Sequence, residues 1–324
     1  MGDHKILYLS EQDVLDLNIQ WPEIFEAAKI ALIEHGNKTV ENPPKPGVHK
    51  FSNSFIHAMP AYLKEADIMG IKWVAGYPSN REKGLPVTTG LQIINDPNTG
   101  YPLCIMNATW TTMVRTAAVT AVSAPLCARA DSEVMGIVGA GIQGTVNAEV
   151  LCLTIPSIRK IKVYDIVPAA SQRFQAVISQ KTGVEVEIVD SAKDAVVDSD
   201  IVVTATQKLP EPFLQKEWLK EGYLGIPLDV SRAWTIDALF GADKFINDDL
   251  AQARLYEADG AFPAGIPALY CHTGELLNGN FPGRTSDQES IILMNIGLGI
   301  YDISLGNHIY EKAKEAGLGV WLPF

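Results

Sequence analysis

The segment Gly139-Ala-Gly-Ile-Gln-Gly144 stands directly after the strand-like Val134-Met-Gly-Ile-Val138 and directly before a helix-forming run. A glycine turn in that setting offers pyrophosphate the first amide groups of a helix, which have no partner inside the helix itself. Gly139 is expected to make the tight turn, Gly141 to let the backbone approach phosphate, and Gly144 to let the helix close on the strand. Asp165 follows a second strand-like run, Lys160 to Tyr164, where a carboxylate would accept ribose hydroxyls. An acid there repels a 2'-phosphate, and no Arg follows it immediately. NAD is therefore the expected cofactor and NADP the alternative. The expected contacts are Gly139, Gly141, Gln143, Gly144, Asp165 and Thr116; the other reading of Asp165 is a solvated strand-end carboxylate.

An enzyme that uses a nicotinamide must hold its substrate and move protons while the cofactor carries hydride. Three cations ahead of the glycine turn suit that work: Lys45 in a Pro-rich loop, Lys72 within Gly70-Ile-Lys-Trp-Val74, and Arg115 within Thr111-Thr-Met-Val-Arg-Thr116. Lys72 is conspicuous because a cation in an apolar strand is costly unless it has a partner or a polar cleft. Lowered basicity there would let it exchange a proton with an amino or imino group; otherwise it is a surface strand charge. Arg115 suits a two-pronged carboxylate clamp, with a helix cap or an inter-domain salt bridge as its structural alternatives. Asp229, in Gly225-Ile-Pro-Leu-Asp-Val230, follows another strand-like run, where the carboxyl end of an α/β sheet faces ligand. It is expected to orient Lys72, accept a proton or stabilise an iminium, unless it is a solvated turn residue. His57, close before Met59-Pro60, is a candidate substrate contact or a structural imidazole. Asp248, Asp249 and Gln252 carry no assignable chemistry, and the chain holds neither an HExxH run nor a nucleophile elbow, so no metal is expected.

These residues need two kinds of scaffold. Lys5 to Leu9 reads as a strand, Ser10 to Asp13 as a helix cap, and Trp21 to Glu34 as a helix with Pro22 in its first turn and Gly36 as terminator. Ser54 to Met59, Gly70 to Ala75, Val87 to Asn95 and Pro102 to Met106 read as strands, the last two joined by Asp96-Pro-Asn-Thr-Gly100. Trp110 to Ala130 is helix-compatible with a break at Pro125. From Val134 a βαβ series begins, with strands at Val134 to Val138, Lys160 to Tyr164, Val184 to Val189 and Ile201 to Ala205, and further strands around Tyr223 to Leu228 and Lys244 to Ile246. Ile291 to Leu305 reads as a helix despite Gly297 and Gly299, continued by Ile309 to Ala316.

The composition agrees with a folded enzyme of small molecules. A chain of 324 residues, 47% hydrophobic and 20% charged, has material for a large core and roughly two domains. Its formal charge of -12 is the wrong sign for a nucleic-acid surface. Cys104, Cys127, Cys152 and Cys271 lack metal or disulfide spacing and read as core thiols. No long apolar run or basic leader is present, and Ile6 stands where a myristoylation signal starting at Gly2 needs Ser or Thr. A cytoplasmic location and no membrane partner are expected.

Taken together, Met59-Pro-Ala-Tyr-Leu63, Gly70-Ile-Lys-Trp-Val74, Gly84-Leu-Pro86, Asp96-Pro-Asn-Thr-Gly100, Ala108-Thr109, Arg115-Thr-Ala-Ala118, the glycine turn, Asp229 and Gly297 through Asp302 resemble the ornithine cyclodeaminase/mu-crystallin family over nearly the whole chain. The resemblance implies an α/β fold: a Rossmann-type nucleotide-binding domain with a discontinuous α+β substrate and dimerisation domain. The expected borders are 1–128 for the first substrate-domain segment, 129–300 for the NAD(P)-binding domain and 301–324 for the carboxyl-terminal return, with a homodimer as the assembly. It further implies that Lys72 transfers a proton, Arg115 binds the substrate carboxylate, Asp229 acts in amine or iminium chemistry, and Lys45 replaces a family arginine. His57 stands where the cyclodeaminases resemble one another in carrying an acid, and Asn107 where the family commonly has Asp. The implied activity is NAD(P)-dependent oxidation or reduction between a small amino acid and its imino or 2-oxo acid, cyclic ketimine reduction included. The alternatives are an amino-acid cyclodeaminase that releases ammonia and recycles NAD internally, and a noncatalytic, crystallin-like ligand-binding protein.

Overall fold

The computed structural model describes residues 4–51, 53–207 and 209–324; Gly2, weighed above as a lipid-anchor position, lies outside them. The chain forms two compact units, Met1–Arg115 with Gly297–Phe324, and Thr116–Ile296. These borders differ from 128/129 and 300/301. The first falls inside one continuous helix, where composition offers no break, and the second falls at the residue before Gly297.

The first unit opens with β1 (Lys5–Leu9), α1 (Glu11–Asp16) and α2 (Trp21–Asn37). Ser10 and Asp13 form a reciprocal capping box on α1, and Pro22 sits in the first turn of α2, where its missing N–H costs nothing. Helix α2 does not stop at Gly36, which is buried within it; Lys38 in the left-handed region ends it. There follow β2 (Val40–Glu41), β3 (Gly47–Val48), β4 (Phe55–Leu63), β5 (Ile68–Gly76), β6 (Thr88–Asn95), β7 (Pro102–Asn107) and α3 (Thr109–Ser123), which crosses into the second unit.

The second unit continues with β8 (Val134–Val138), α4 (Ile142–Thr154), β9 (Lys160–Tyr164), α5 (Pro168–Thr182), β10 (Glu185–Ile188), α6 (Ala192–Val196), β11 (Ile201–Thr204) and β12 (Leu224–Pro227). It is completed by α7 (Ile236–Phe240), β13 (Lys244–Asn247), α8 (Leu250–Ala258), β14 (Leu269–His272), α9 (Thr273–Leu277) and β15 (Ile291–Met294). The chain then returns to the first unit through α10 (Gly299–Ala316) and β16 (Val320–Pro323).

Among the described residues the first unit holds one sheet in the order β16-β1-β7-β6-β5-β4-β2, with β3 also on β4. Strands β4 to β7 are antiparallel, so side chains alternate between the two faces: Gly70, Lys72 and Val74 are buried while Trp73 between them is exposed. Helix α10 lies across β4, β5 and β6 and alongside α2, covering the face to which Lys72 belongs.

The second unit's sheet is parallel throughout, in the order β10-β9-β8-β11-β12-β15-β13-β14. Such a sheet is covered on both faces, and its central strands β8, β11, β12 and β15 are short, mostly apolar runs with a core on either side. The helix expected over Ile291 to Leu305 is therefore corrected. Ile291–Met294 is a fully buried strand between β12 and β13, and the helix begins only at Gly299. A run of four buried apolar residues has no period that separates strand from helix. The four cysteines are free; burial pushes the thiols of Cys104, Cys127 and Cys271 up to about 12 and that of Cys152 to about 11. Among the described residues, no helix is long and apolar enough to cross a membrane.

Candidate functional site

Antiparallel register sets the first constellation. Met59, Lys72, Gln92 and Met106 occupy one row across β4, β5, β6 and β7, all on the face covered by α10. Lys72 is wholly buried, and its Nζ donates to Asp302 Oδ1 of α10 at 2.6 Å. Arg115 Nε lies 3.2 Å from that same oxygen without hydrogen-bond alignment, and Asp302 Oδ2 has no hydrogen-bond partner among the described residues. Gln92 Nε2 donates to the backbone carbonyl of Asp302. Burial lowers the Lys72 ammonium to about 7; Arg115 pushes in the same direction, while Asp302 opposes both. The cost of an apolar-strand lysine is thus met by a partner on α10, the Asp302 carboxylate. Helix α3, which carries Arg115, starts where Asn107 Oδ1 accepts from Thr109 N–H at 2.8 Å. That is a structural use of the amide oxygen at the start of the helix.

Lys45 and His57 belong to the same unit. Lys45 Nζ donates to the Gly297 carbonyl at 3.1 Å. His57, on β4, stacks on Phe55 with ring centroids 4.3 Å apart and meets the edge of His49 at 6.0 Å. Burial, then the charges of Lys45, His49 and Lys72, lower His57 to about 4. It is a neutral ring in a cationic setting.

The second constellation lies at the carboxyl ends of parallel strands. Tyr164, Val138, Thr204 and Pro227 are paired across β9, β8, β11 and β12, so the residues that follow them emerge at one edge. The strand order reverses between β8 and β11, a topological switch point where such sheets take ligands. Gly139 turns there with φ 106°, and a Cβ on it would stand 2.6 Å from the Ala205 carbonyl. Gly144 packs on the turn so closely that a Cβ would be 2.0 Å from the Gly139 carbonyl, whereas Gly141 faces open space. Gly141 is the N-cap of α4 and supplies no side-chain cap. Asp165 closes the turn from β9: Oδ2 accepts from Ala140 N–H and Oδ1 from Val167 N–H, each at 2.8 Å. Gln143 is held on the first turn of α4 by Asn147. Thr116 is half-buried on α3, one residue after Arg115.

Asp229 follows β12 at the same edge of this sheet. Thr204 Oγ1 donates to its Oδ1 at 3.0 Å and Thr206 Oγ1 to its Oδ2 at 2.7 Å, while Trp234 Nε1 donates to Thr204 at 3.0 Å. Val230 and Ser231 then turn with φ 57° and 62°, a conformation that is costly for a β-branched residue. Burial raises the Asp229 carboxyl, and the Thr206 and Thr204 hydrogen bonds oppose it. Asp248 and Asp249 accept from the backbone of Ile296 and Gln252, respectively.

Asp302, Gln92, Thr204 and Thr206 were missed as site residues. A carboxylate inside the apolar Gly299-Ile-Tyr-Asp-Ile-Ser-Leu305, and an amide inside Leu91-Gln-Ile-Ile94, are the signals that mark the first two.

The model of the "Ornithine cyclodeaminase/mu-crystallin family" matches residues 9–317. Nodulation efficiency protein NfeD of Rhizobium meliloti is 35% identical over 320 residues, covering 98% of this chain and 99% of that protein. The structure of Thermococcus litoralis Δ1-pyrroline-2-carboxylate reductase in complex with NADH and L-proline is similar with a TM-score of 0.87 at 30% identity, covering 97% of this chain and 99% of that one. An archaeal alanine dehydrogenase dimer with bound NAD has a TM-score of 0.88 at 30% identity, covering 99% and 100%.

Proposed function

Because the chain belongs to the ornithine cyclodeaminase/mu-crystallin family, we propose that it is an NAD(H)-dependent oxidoreductase interconverting a small amino acid and its imino or 2-oxo acid, cyclic ketimine reduction included. The observation that carries this reading is the buried Lys72, lowered to about 7 and set beside Arg115. Relatives that hold NADH with L-proline, or NAD, support it.

The second unit fits a dinucleotide. Gly141 leaves open space at the start of a thirteen-residue helix without a side-chain cap, where amide groups attract pyrophosphate. Asp165 supplies a carboxylate for ribose hydroxyls, and the exposed Ile166 and Val167 after it offer no charge to a 2'-phosphate, which favours NAD over NADP. When bound, the nicotinamide supplies a hydride to the substrate carbon or takes it back.

Arg115, with Lys45 adding positive charge, holds the substrate carboxylate. Reduction of a C=N bond needs one hydride on carbon and one proton on nitrogen; Lys72 provides the proton as ammonium, and its neutral form takes a proton back during oxidation. Asp229 acts as the second proton-transfer group. At His57 a second substrate ammonium would meet a neutral ring beside the charge of Lys45 rather than a carboxylate, which disfavours cyclodeamination of a diamino acid.

The open face of the first unit's sheet supports a homodimer. Trp73 and Leu91 are cross-strand neighbours, 49% and 46% exposed, on the face opposite Lys72.

The test is a panel of small cyclic imino acids, and of 2-oxo acids with ammonia, run with NADH and NADPH side by side while absorbance and free ammonia are followed. Net NADH consumption with weaker NADPH use is expected. Ammonia release from ornithine without net cofactor change would replace this reading by cyclodeamination, and competitive binding without turnover by a ligand-binding protein.

A further inference from the structure

We propose that Asp302 is the positioning residue that holds Lys72 and Arg115 for proton transfer and carboxylate binding, and that Gln92 and Gly306 hold Asp302 in turn. The inference rests on the proposed function for its turnover readout. Its geometry stands within the first unit alone.

One carboxylate oxygen serves two cations from different elements: Lys72 of β5 at 2.6 Å and Arg115 of α3 at 3.2 Å. The side chains of Lys72 and Asp302 are fully buried and that of Arg115 is 10% exposed. Without the carboxylate, two cations would share a dry site, and the lysine would release its proton. The groups acting on Lys72 are Asp302 from α10, Arg115 from α3 and Lys45 from the Pro-rich loop, while Lys72 itself acts on His57 of β4. Of these, Asp302 alone favours the ammonium form.

Helix α10 is docked so that this carboxylate arrives at the right place. Gln92 lies directly opposite Lys72 in the β5–β6 register, and its amide reaches the backbone carbonyl of Asp302. One helical turn later stands Gly306, where a Cβ would be 1.9 Å from Gln92 Nε2. A glycine there admits the amide to the helix backbone. The strand beside Lys72 thereby sets the position of the residue that pairs with Lys72.

The experiment compares wild type, Asp302→Asn, Asp302→Glu and Gly306→Ala in kcat against pH, with NADH binding followed by fluorescence. Loss of the carboxylate lowers the Lys72 pKa, so the Lys72 limb in Asp302→Asn should move to lower pH by about one unit or more, in whichever direction the reaction is run. At a pH above the shifted limb, imine reduction should fall about tenfold or more. NADH affinity should hold, Asp302→Glu should recover part of the loss, and Gly306→Ala should shift the limb in the same direction by less. A fall in kcat with an unmoved limb would overturn the proposal. Should Asp302→Asn fail to fold, the Gly306→Ala profile decides. If wild type turns over no imino acid, the oxidoreductase reading fails separately. Calorimetric binding of pyrrole-2-carboxylate against pH then tests Asp302: a downward shift of the inflection in Asp302→Asn supports it, and identical curves or no binding by either protein overturn it.

Discussion

Lys72 in the first unit and Asp229 in the second are both buried titratable groups, yet they are held by opposite means. Lys72 is met by a charge, the Asp302 carboxylate, on a helix laid over an antiparallel sheet. Asp229 is met by neutral donors, Thr204 and Thr206, at the carboxyl end of a parallel sheet. Burial drives Lys72 down to about 7 and Asp229 upward, so each group moves from its ordinary range toward neutrality. A group intended to trade protons needs its two protonation states close in free energy, and burial moves both groups in that direction against different opposing partners.

The sharpest way to break the comparison is to remove the charged partner of Asp302. Lys72→Met keeps the volume close and should cost about 10²–10⁴-fold in turnover with NADH binding intact. Its stability effect has a definite sign. The Lys72 pKa is depressed on folding from 10.5 to about 7, so its contribution is present above the unfolded value and is lost as pH falls through about 7. Wild type should therefore gain thermal stability between pH 7 and 10 relative to Lys72→Met. Parallel melting curves across that range would show that the lysine is not held as described.

A smaller effect is expected from Asp229→Asn, which preserves shape and leaves Thr204 and Thr206 with hydrogen-bonding partners. Loss of about 10²-fold in kcat is expected, with the Lys72 limb of the pH profile unmoved because Lys72 takes its proton-holding charge from Asp302. A shift of that limb on Asp229→Asn would mean that the two groups titrate as one pair. Asp229 also has the opposite linkage sign. Its folded pKa is raised, so its contribution is full below the unfolded value of 3.8 and is lost as pH rises through the folded value.

The two regions also differed in how far the sequence revealed them. The glycine turn was legible because its neighbours in space are its neighbours in the chain: a strand before it, a helix after it, and Asp165 at the end of the next strand. Lys72 was legible as an anomaly, a cation among buried strand residues. Its partner was not, because Asp302 is 230 positions away and reaches it only through the return of α10. The same nonlocality hid the strand Ile291–Met294, whose neighbours β12 and β13 are supplied from earlier in the chain. Thr204 lay inside the strand read at Ile201 to Ala205 and Thr206 just beyond it, but only the alignment of β11 with β12 brings their hydroxyls to Asp229.

The smallest expected effect tests the neutral half of the comparison. Thr204 is wholly buried and does two things at once: its hydroxyl donates to Asp229 Oδ1 and accepts from Trp234 Nε1. Thr204→Val keeps the shape and deletes both bonds. The Trp234 N–H would be left buried without its acceptor, at a cost of about 1–3 kcal/mol, which a chain of this size shows as a melting point lower by a few degrees. The Asp229 carboxylate would lose one of the donors that favour its charged form, so its pKa should rise further and the limb it controls should move to higher pH. Thr206 still donates to the other oxygen, so kcat should fall only a few-fold where Asp229 is ionised. If Thr204→Val lowers the melting point but leaves that limb in place, Thr204 belongs to the core around Trp234 and Asp229 is tuned by burial and Thr206 without it.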